Sequence, residues 1–271
     1  MKVLAIVISY FPNKEDLTRN IEAFKEYVDK ILIWENTPED MAAAYRFVHD
    51  AKVFYCGSGE NVGIPKALNY AWHLANEQHF DYILTMDKDS RWEGFGDFLK
   101  EAIRVESMEE CVCGPYTTNA RDAGLLAESE TIITSGALVP VSVLNKIGRW
   151  PETFKIDCVD FDFCCKCKVY GVKSYMLNRG TLHQTFGKTI LARSIRTGRY
   201  REIADYSPQR LYYIVRNSVI LKKMYSAFPL GKHLKMWLCC HASQIILHED
   251  KKISKFTSML RGALAGILAR T

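Results

Sequence analysis

The sequence lacks a long hydrophobic run, a disulfide-type cysteine spacing, internal repeats and low-complexity segments. No stretch of the 271 residues approaches the 18 or so consecutive apolar residues that a membrane-spanning helix needs. The nine cysteines are an odd number at irregular spacing, which predicts reduced thiols in a cytoplasmic protein. With 48% hydrophobic and 25% charged residues, the composition excludes a disordered or collagen-like chain and predicts a globular protein.

Two common phosphate-binding motifs are also absent. The chain contains neither a Walker G-x-x-x-x-G-K-[ST] loop nor the G-x-G-x-x-G signature of dinucleotide-binding folds. Residues 61–69 (NVGIPKALN) place a glycine-containing turn before a predicted helix instead. Because the N-terminus of a helix attracts anions, this segment is a candidate phosphate contact of another type.

Charge is distributed unevenly along the chain. The net charge is only +5, but residues 188–271 carry 16 Lys and Arg against 4 Asp and Glu. No recognised module interleaves this charge with aromatics, so a nucleic-acid partner is not expected. The last segment is amphipathic, with flanking cations, and favours an anionic membrane surface on the inner face of the membrane. Its apolar residues are Phe256, Met259, Leu260, Leu264, Ile267 and Leu268. A solvated basic face and a homodimer surface are the alternatives.

The order of elements predicts an α/β fold. Apolar strand segments at 3–8, 31–34, 53–55 and 82–86 alternate with helical segments, which is typical of a parallel sheet with flanking helices. Residues 1–205 form the predicted catalytic domain, and 206–271 form a basic helical extension. Ligands bind such sheets at the carboxyl ends of the strands, where residues 35–37, 58–61 and 87–89 supply polar side chains that should converge.

The D-x-D segment follows the fourth predicted strand. Asp87 and Asp89, with Lys88 between them, can both reach one divalent cation, because hard carboxylate oxygens suit Mg²⁺ or Mn²⁺. A solvated turn is the plain alternative for such a short motif. The position of the segment beside two other polar strand ends favours the metal site.

A second acidic group lies at residues 157–162. Asp157, Asp160 and Asp162 alternate with apolar residues and cysteines, which is not the pattern of a solvated charge run. Partly buried carboxylates have raised pKa values and can act as general bases. Acids that complement the dipole of a helix N-terminus are the structural alternative, and both interpretations can hold together.

Histidine and cysteine supply two further candidates. His183 opens the segment 183–187 (HQTFG), where contact with a metal or phosphate is one hypothesis and a structural role is the other. Cys111, Cys113 and the group Cys164, Cys165 and Cys167 allow a zinc site. No matching second C-x-x-C pair exists, so core packing is favoured.

Taken together, these segments resemble the family 2 glycosyltransferases, within them the bacterial rhamnosyltransferase-like branch. The segments that carry the resemblance occur in the family's order along residues 3–225: 7–10 (VISY), 34–37 (WENT), 61–69, 87–90 (DKDS), 134–136 (TSG), 147–148 (IG), 154–162 (FKIDCVDFD), 183–187 and 212–217 (YYIVRN). The sequence differs from the family's motifs at Glu35, Lys88, Asp162 and Lys166, where the family has Asp, Gln, Glu and often Arg.

The resemblance implies a GT-A fold, a Mn²⁺ or Mg²⁺ cofactor and inversion at the anomeric carbon. It implies Asp160 as the catalytic base, Glu35 as the contact to the pyrimidine base, and Asp87, Asp89 and His183 as metal contacts. The residues implied on the nucleotide-sugar side are Ser9, Tyr10, Glu35, Asn36, Asn61, Gly63, Asn69, Asp87, Lys88, Asp89 and Arg216. Those implied on the acceptor side are Ser135, Gly136, Asp157 and Asp162.

The implied reaction moves a sugar, rhamnose or another hexose, from a dTDP- or UDP-linked donor to a glycan or lipid-linked acceptor in bacterial surface polysaccharide synthesis. A sugar-phosphate nucleotidyltransferase is an alternative, but residues 9–13 (SYFPN) lack the glycine-rich basic loop that usually follows its first strand. A degenerate transferase fold that serves as a scaffold is the non-enzymatic alternative, and the acids at 89 and 160 argue against it.

Overall fold

The computed structural model describes residues 1–105, 107–117, 126–184, 188–193, 198–228 and 230–270. The chain divides into two compact units. The first contains Met1–Lys155 and Val159–Thr185, and the second contains Ile156–Cys158 and Phe186–Thr271. The expected domain boundary after residue 205 stays a prediction, and in the structure residues 186–205 group with the C-terminal helices.

Four parallel strands form one half of the sheet in the first unit. They are β1 (Val3–Ser9), β2 (Lys30–Glu35), β3 (Val53–Gly57) and β4 (Tyr82–Asp87), in the spatial order β3-β2-β1-β4. Every residue of β1 is buried, which explains its unbroken apolar sequence, because helices cover both faces of a parallel sheet. The predicted alternation of strands and helices is confirmed for these elements.

The other half of the sheet is mixed. It adds β5 (Arg91–Glu93), β6 (Cys111–Thr117), β7 (Leu126–Glu128), β8 (Ala137–Pro140) and β9 (Lys173–His183). The order continues from β4 through β8, β6 and β9 to β5, and β7 pairs with β9 off this path. Because β8 is antiparallel to β4 and to β6, the strict alternation that the sequence shows up to residue 87 ends here.

The helices of the first unit pack on this sheet. They are α1 (Lys14–Glu22), α2 (Glu39–Ala42), α3 (Ile64–Glu77), α4 (Phe95–Ile103), α5 (Val141–Ile147) and α6 (Val159–Val169). Asn13 caps α1, since its side chain accepts hydrogen bonds from the backbone N–H groups of Glu15 and Asp16. The main core lies between these helices and the sheet, with Phe24, Phe95 and Phe98 fully buried.

The second unit combines a hairpin with helices. Its elements are the antiparallel strands β10 (Thr189–Arg193) and β11 (Tyr200–Ala204) and the helices α7 (Pro208–Met224), α8 (Leu230–His248) and α9 (Lys252–Leu268). Leu211 and Val215 of α7 pack with Ile245 and Met259 in a small core. Among the described helices, none combines the length and the apolar character that crossing a membrane requires.

Candidate active site

The carboxyl ends of the parallel strands bring the predicted polar residues to one edge of the sheet. In the strand register Ser9 pairs with Glu35, Glu35 pairs with Gly57, and Ile8 pairs with Asp87. Residue 57 must be glycine, since a Cβ atom there would lie 2.4 Å from the carbonyl oxygen of Glu35. The predicted convergence of the strand ends is therefore confirmed for the residues that follow β2, β3 and β4.

Buried polar side chains hold the D-x-D turn in place. The Asn20 amide of α1 donates to the Asp87 carbonyl at 2.7 Å, and the Asp87 N–H donates to Ser135 Oγ at 3.1 Å. Ser135 Oγ in turn donates to Ser90 Oγ at 2.9 Å. Ser135, implied on the acceptor side, is thus a buried support beneath the turn, and the next residue, Gly136, is buried with φ +80°.

Negative charge accumulates at the Asp87 carboxylate. Burial, and next the charge of Asp89, raise the pKa of Asp87 to about 6, and the charge of Asp160 adds to this rise. The Gln184 amide donates to Asp87 at 3.3 Å and works in the opposite direction. The charges of Asp89 and Asp160 therefore both act on the Asp87 carboxylate, which is an arrangement that a cation would stabilise.

A cavity of about 180 Å³ opens beside this group of acids. The residues that line it are Asp16, Arg19, Asp89, Ser90, Arg91, His183 and Gln184. His183 Nε2 lies 2.9 Å from the Glu93 carboxylate, so strand pairing between β5 and β9 brings the predicted histidine to the D-x-D turn. The rest of the predicted 183–187 segment, residues 185–187, lies outside the described residues.

Sequence reasoning missed the two arginines of this cavity. Arg91 directly follows the D-x-D-S motif, and that position is a signal that could have pointed to it. Arg19 lies on α1 and forms ion pairs of 3.6 Å with Glu15 and Asp16, and only the fold connects it with Asp89. Both guanidinium groups can offer hydrogen bonds to an anionic ligand.

The acids of the D-x-D turn supply part of a metal-binding set of side chains. Among the described residues, no group of three or more His, Cys, Asp or Glu side chains is arranged to hold a metal ion. Asp87 and Asp89 still offer hard oxygen ligands from one turn, which fits Mg²⁺ or Mn²⁺ with ligand phosphates completing the coordination. The predicted roles of Asp87, Asp89 and His183 as metal contacts stay predictions.

Glu35 is held by an arginine that the sequence did not single out. Arg46 Nε donates to Glu35 Oε1 at 2.9 Å and its Nη2 donates to Oε2 at 2.7 Å, while Glu35 is only 7% exposed. These hydrogen bonds raise the pKa of Arg46. The ring centroids of Tyr10 and Phe11 are 4.6 Å apart, and those of Phe11 and Tyr45 are 5.4 Å apart.

The amide side chains between β2 and α3 connect backbone segments. Asn36 Oδ1 accepts hydrogen bonds from Trp34 Nε1 and from the Val62 N–H, both at 3.2 Å. Asn61 Oδ1 accepts from the Gly63 N–H at 3.1 Å. Gly63 has φ +86°, and a Cβ atom there would lie 2.3 Å from the Lys155 carbonyl oxygen. The predicted glycine-containing turn before α3 is therefore present, and its contact with phosphate stays a prediction.

Asn69 is engaged further along α3. Its amide nitrogen donates to the Trp150 carbonyl, and its oxygen accepts from the Trp150 N–H, each at 2.9 Å. This paired interaction ties α3 to the chain beyond α5. The implied contact of Asn69 to the nucleotide sugar stays a prediction beside this structural role.

Helix α6 carries the predicted base in its first turn. The Asp160 carboxylate accepts the Phe161 N–H at 3.0 Å, and its charge acts on Asp87. Asp162 is buried and forms an ion pair of 3.0 Å with Lys166, one turn further along the helix. The two acids therefore have different environments: Asp160 is partly exposed at the helix start, whereas Asp162 is inside the unit.

Two further predicted residues belong to the second unit. Asp157 has a left-handed backbone with φ +62° and accepts hydrogen bonds from Arg210, with Nη2 at 3.1 Å. Arg216 donates to the Asn217 side chain at 2.9 Å, and the Asn217 amide donates to the carbonyl of Ile156 at 2.7 Å. These contacts hold the strained segment before α6, and the predicted ligand roles of Asp157 and Arg216 stay predictions.

The cysteines of the zinc alternative lie in the interior. The Cys164 thiol donates to the Ile132 carbonyl at 3.5 Å, and burial raises the pKa of Cys164 and of Cys167 to about 12. Thiols of this kind stay protonated and are poor metal ligands. Core packing, the favoured interpretation of the sequence, agrees with these contacts.

The fold is the GT-A fold found in glycosyltransferases. No protein-family model matches the chain. Its similarity to the dTDP-rhamnosyl transferase RfbF of Shigella flexneri is 25% identity over a 294-residue alignment, which covers 98% of this chain and 95% of that protein. The expected resemblance to bacterial family 2-like glycosyltransferases is therefore confirmed.

Solved structures support the fold. The mannosyltransferase PcManGT from Pyrobaculum calidifontis, in complex with GDP-Man and Mn²⁺, has a TM-score of 0.58 at 14% identity, covering 100% of this chain and 76% of that one. GalNAc-T7 with UDP, GalNAc and Mn²⁺ has a TM-score of 0.57 at 9% identity and covers 82% of this chain. This chain corresponds to only 47% of the length of GalNAc-T7. The expected GT-A fold is confirmed, and glycosyltransferase activity is supported.

Proposed function

We propose that the protein is an inverting, metal-dependent glycosyltransferase. It moves a sugar, rhamnose or another hexose, from a nucleoside-diphosphate donor to a hydroxyl group of a glycan or a lipid-linked acceptor. The observation that carries the proposal is the convergence of Asp87, Asp89 and Asp160 at the carboxyl edge of a GT-A sheet. Two acids from one turn suit the diphosphate side, and the third, from a helix start, suits the acceptor side.

The role of Asp160 follows from its position at the start of α6. Its carboxylate takes the proton of the acceptor hydroxyl, and the oxygen so activated attacks the anomeric carbon. The bond from that carbon to the diphosphate oxygen breaks on the opposite face, and its electron pair leaves with the nucleoside diphosphate. One displacement of this kind inverts the anomeric configuration, and the base only has to be ionised and correctly placed.

The diphosphate side needs positive charge, because the leaving group gains negative charge as the bond breaks. Asp87 and Asp89 would hold Mn²⁺ or Mg²⁺, with His183 beside them, and the cation would supply that charge. Arg19 and Arg91 line the adjacent cavity and can donate hydrogen bonds to phosphate oxygens. The metals bound by PcManGT and GalNAc-T7 support the same choice of ion.

The donor nucleotide proposed for this chain is dTDP or UDP. The name of the Shigella relative supports dTDP-rhamnose as the first donor to test. The acceptor we propose is a growing surface polysaccharide, presented as a glycan or on a lipid carrier at the inner face of the membrane. The basic charge of residues 188–271 supports a location beside anionic lipids.

Thermal unfolding with a panel of nucleotides, each with and without Mn²⁺, tests the proposal. A ligand that binds the folded protein raises its unfolding temperature, so dTDP or UDP with Mn²⁺ should stabilise it more than either component alone. The variant Asp160→Asn should keep this stabilisation and lose hydrolysis of the matching donor sugar by roughly a hundredfold or more. Donor hydrolysis is measured because water replaces an acceptor of unknown structure.

The matched control is Asp97→Asn, which removes an exposed carboxylate on α4 and should change neither property. Nucleotide binding that is identical with and without Mn²⁺ would contradict metal dependence. Substantial hydrolysis by Asp160→Asn would reject Asp160 as the base. Absence of stabilisation by any nucleoside diphosphate would favour the scaffold alternative.

A further inference from the structure

Helix α9 presents two apolar faces, and the protein uses only one of them. On the inner face Met259, Gly262 and Gly266 are buried against α7. A Cβ atom at Gly262 would lie 2.4 Å from the Tyr212 carbonyl oxygen, so the two helices are in close backbone contact. The contact that stabilises α9 in the second unit is therefore complete without the other face.

The outer face carries large apolar side chains that are exposed to solvent. We call this set the α9 stripe: Ile253, Phe256, Leu260, Leu264, Ile267 and Leu268. Their exposed fractions run from 37% for Phe256 to 85% for Ile253. The residues are mostly three or four positions apart, so they fall on one side of the helix. Single exposed apolar residues are ordinary, but a contiguous stripe of this kind marks an interaction surface.

The surroundings of the stripe are basic. Lys252 and Arg261 of α9 are exposed beside it, and Arg270 follows the helix. Residues 188–271 hold only four acids, and two of them, Asp205 and Glu249, bind the buried Lys255 inside the second unit. The charges of Asp205 and Glu249 are therefore paired inside the unit. The solvent-facing surface of this unit carries a large excess of cations.

We propose that the α9 stripe is a docking surface for a lipid bilayer that contains anionic lipids. An apolar stripe bordered by Lys and Arg matches the boundary between acyl chains and anionic headgroups, where such a helix lies in the plane of the membrane. The neighbouring Lys and Arg side chains strengthen binding to such a membrane, because anionic lipids attract them.

A second copy of this chain is a poorer occupant of the same surface. A two-fold dimer through α9 would place Lys252 and Arg261 of each copy beside the same basic surface of the other. Like charges brought together across an interface oppose association. Charge complementarity therefore selects the anionic bilayer over self-association.

Docking through the α9 stripe would bring the proposed enzyme to a lipid-linked acceptor. Only this consequence rests on the proposed function. The docking itself involves none of the residues placed in the active site. Loss of docking and loss of nucleotide binding can therefore be measured separately.

Vesicle flotation of the full chain tests docking. We expect binding to vesicles of phosphatidylcholine mixed with phosphatidylglycerol, weaker binding as salt is raised, and little binding to phosphatidylcholine alone. The double variant Leu260→Ser/Leu264→Ser should lower the partition coefficient roughly tenfold or more, since it removes two exposed apolar side chains. The matched control is Leu191→Ser on β10, which removes a leucine that is 70% exposed in the same unit and should bind like the wild type.

Both substitutions are on the solvent side of α9, so we expect the double variant to fold. Circular dichroism and nucleotide-induced stabilisation check this. Vesicle binding that is equal for the double variant and the wild type would overturn the proposal. A second result would also overturn the proposal. In it the wild type is a dimer in light scattering, the double variant is a monomer, and the wild type does not bind vesicles. A protein that floats with vesicles but binds no nucleotide would instead reject the proposed function and leave the docking surface standing.

Discussion

The pair formed by Glu35 and Arg46 changes what the implied base contact can recognise. Glu35 brings an acceptor and Arg46 brings donors to the same strand end. Uracil and thymine present a carbonyl next to a ring N–H, which needs a donor beside an acceptor. Adenine and cytosine present the reverse order of groups. We therefore propose that the pair of Glu35 and Arg46 favours the keto bases, which are uracil, thymine and guanine.

Replacement of Arg46 by methionine should weaken binding of dTDP and UDP, because the donor half of the pair is lost. It should also lower the free energy of unfolding by about 1–3 kcal/mol, since Glu35 remains buried without its partner while the partly exposed arginine limits the loss. Nucleotide titration and urea unfolding measure the two effects. Arg104→Met, which removes an exposed arginine from α4's C-terminal end, is the control. Unchanged nucleotide binding would reject the keto-base interpretation.

At the scale of elements, the sequence predicted the strands and helices that have a clear apolar pattern within their own segment. The apolar runs of β1, β2 and β4 and the helical spacing of α3 gave both type and position. Helix α4 was missed because its start contains two glycines. Gly94 provides a left-handed N-cap with φ +76°, and the Tyr27 ring packs against Gly96, where a Cβ atom would lie 2.6 Å from it. Such packing reasons are set by distant residues and leave no local pattern.

Gly262 and Gly266 of α9 lie in a close contact with α7. Gly262→Val should lower the free energy of unfolding by about 2 kcal/mol or more, because its Cβ atom would meet the Tyr212 carbonyl and push α9 from α7. Thr257→Val, at an exposed position of the same helix, should change stability by less than about 0.5 kcal/mol. Urea unfolding followed by circular dichroism compares them, and equal stability of the two variants would contradict the close packing.

At the scale of the molecule, the sequence identified which strand ends meet but not how the resulting groups are used. Asp87 and Asp89 lie two positions apart in the chain, and the position of α6 lets the charge of Asp160 act on Asp87. These acids were predicted from the order of elements and the resemblance. The resemblance implied ligand roles for Asn36, Asn69 and Ser135, whereas in the structure these side chains form hydrogen bonds within the protein. Arg19 and Arg46 were missed, because their partners are fixed by the fold and not by spacing in the chain.

Lys255 is a buried cation of the second unit, and its ion pairs make the stability of this unit depend on pH. Hydrogen bonding from Lys255 lowers the pKa of Asp205 below its ordinary 3.8. Burial opposes the charge of Lys255, but its hydrogen bonds to Asp205 and Glu249 raise its pKa above 10.5. The contribution of the acid is thus complete above pH 3.8 and is lost as the pH falls below it. The contribution of the lysine is complete below pH 10.5 and is lost above it.

Lys255→Met should therefore lower the free energy of unfolding by about 3–5 kcal/mol near neutral pH, because it leaves the buried Glu249 without its cation and Asp205 with only the exposed Lys188. Its stability should rise as the pH falls toward 4, where protonation relieves the uncompensated charge, whereas that of the wild type should fall below pH 4. Lys188→Met removes a lysine that is 73% exposed and also pairs with Asp205, so it should cost less than about 1 kcal/mol. Urea unfolding at a series of pH values measures all three proteins. Parallel pH profiles for Lys255→Met and the wild type would mean that the buried ion pairs do not control the stability of this unit.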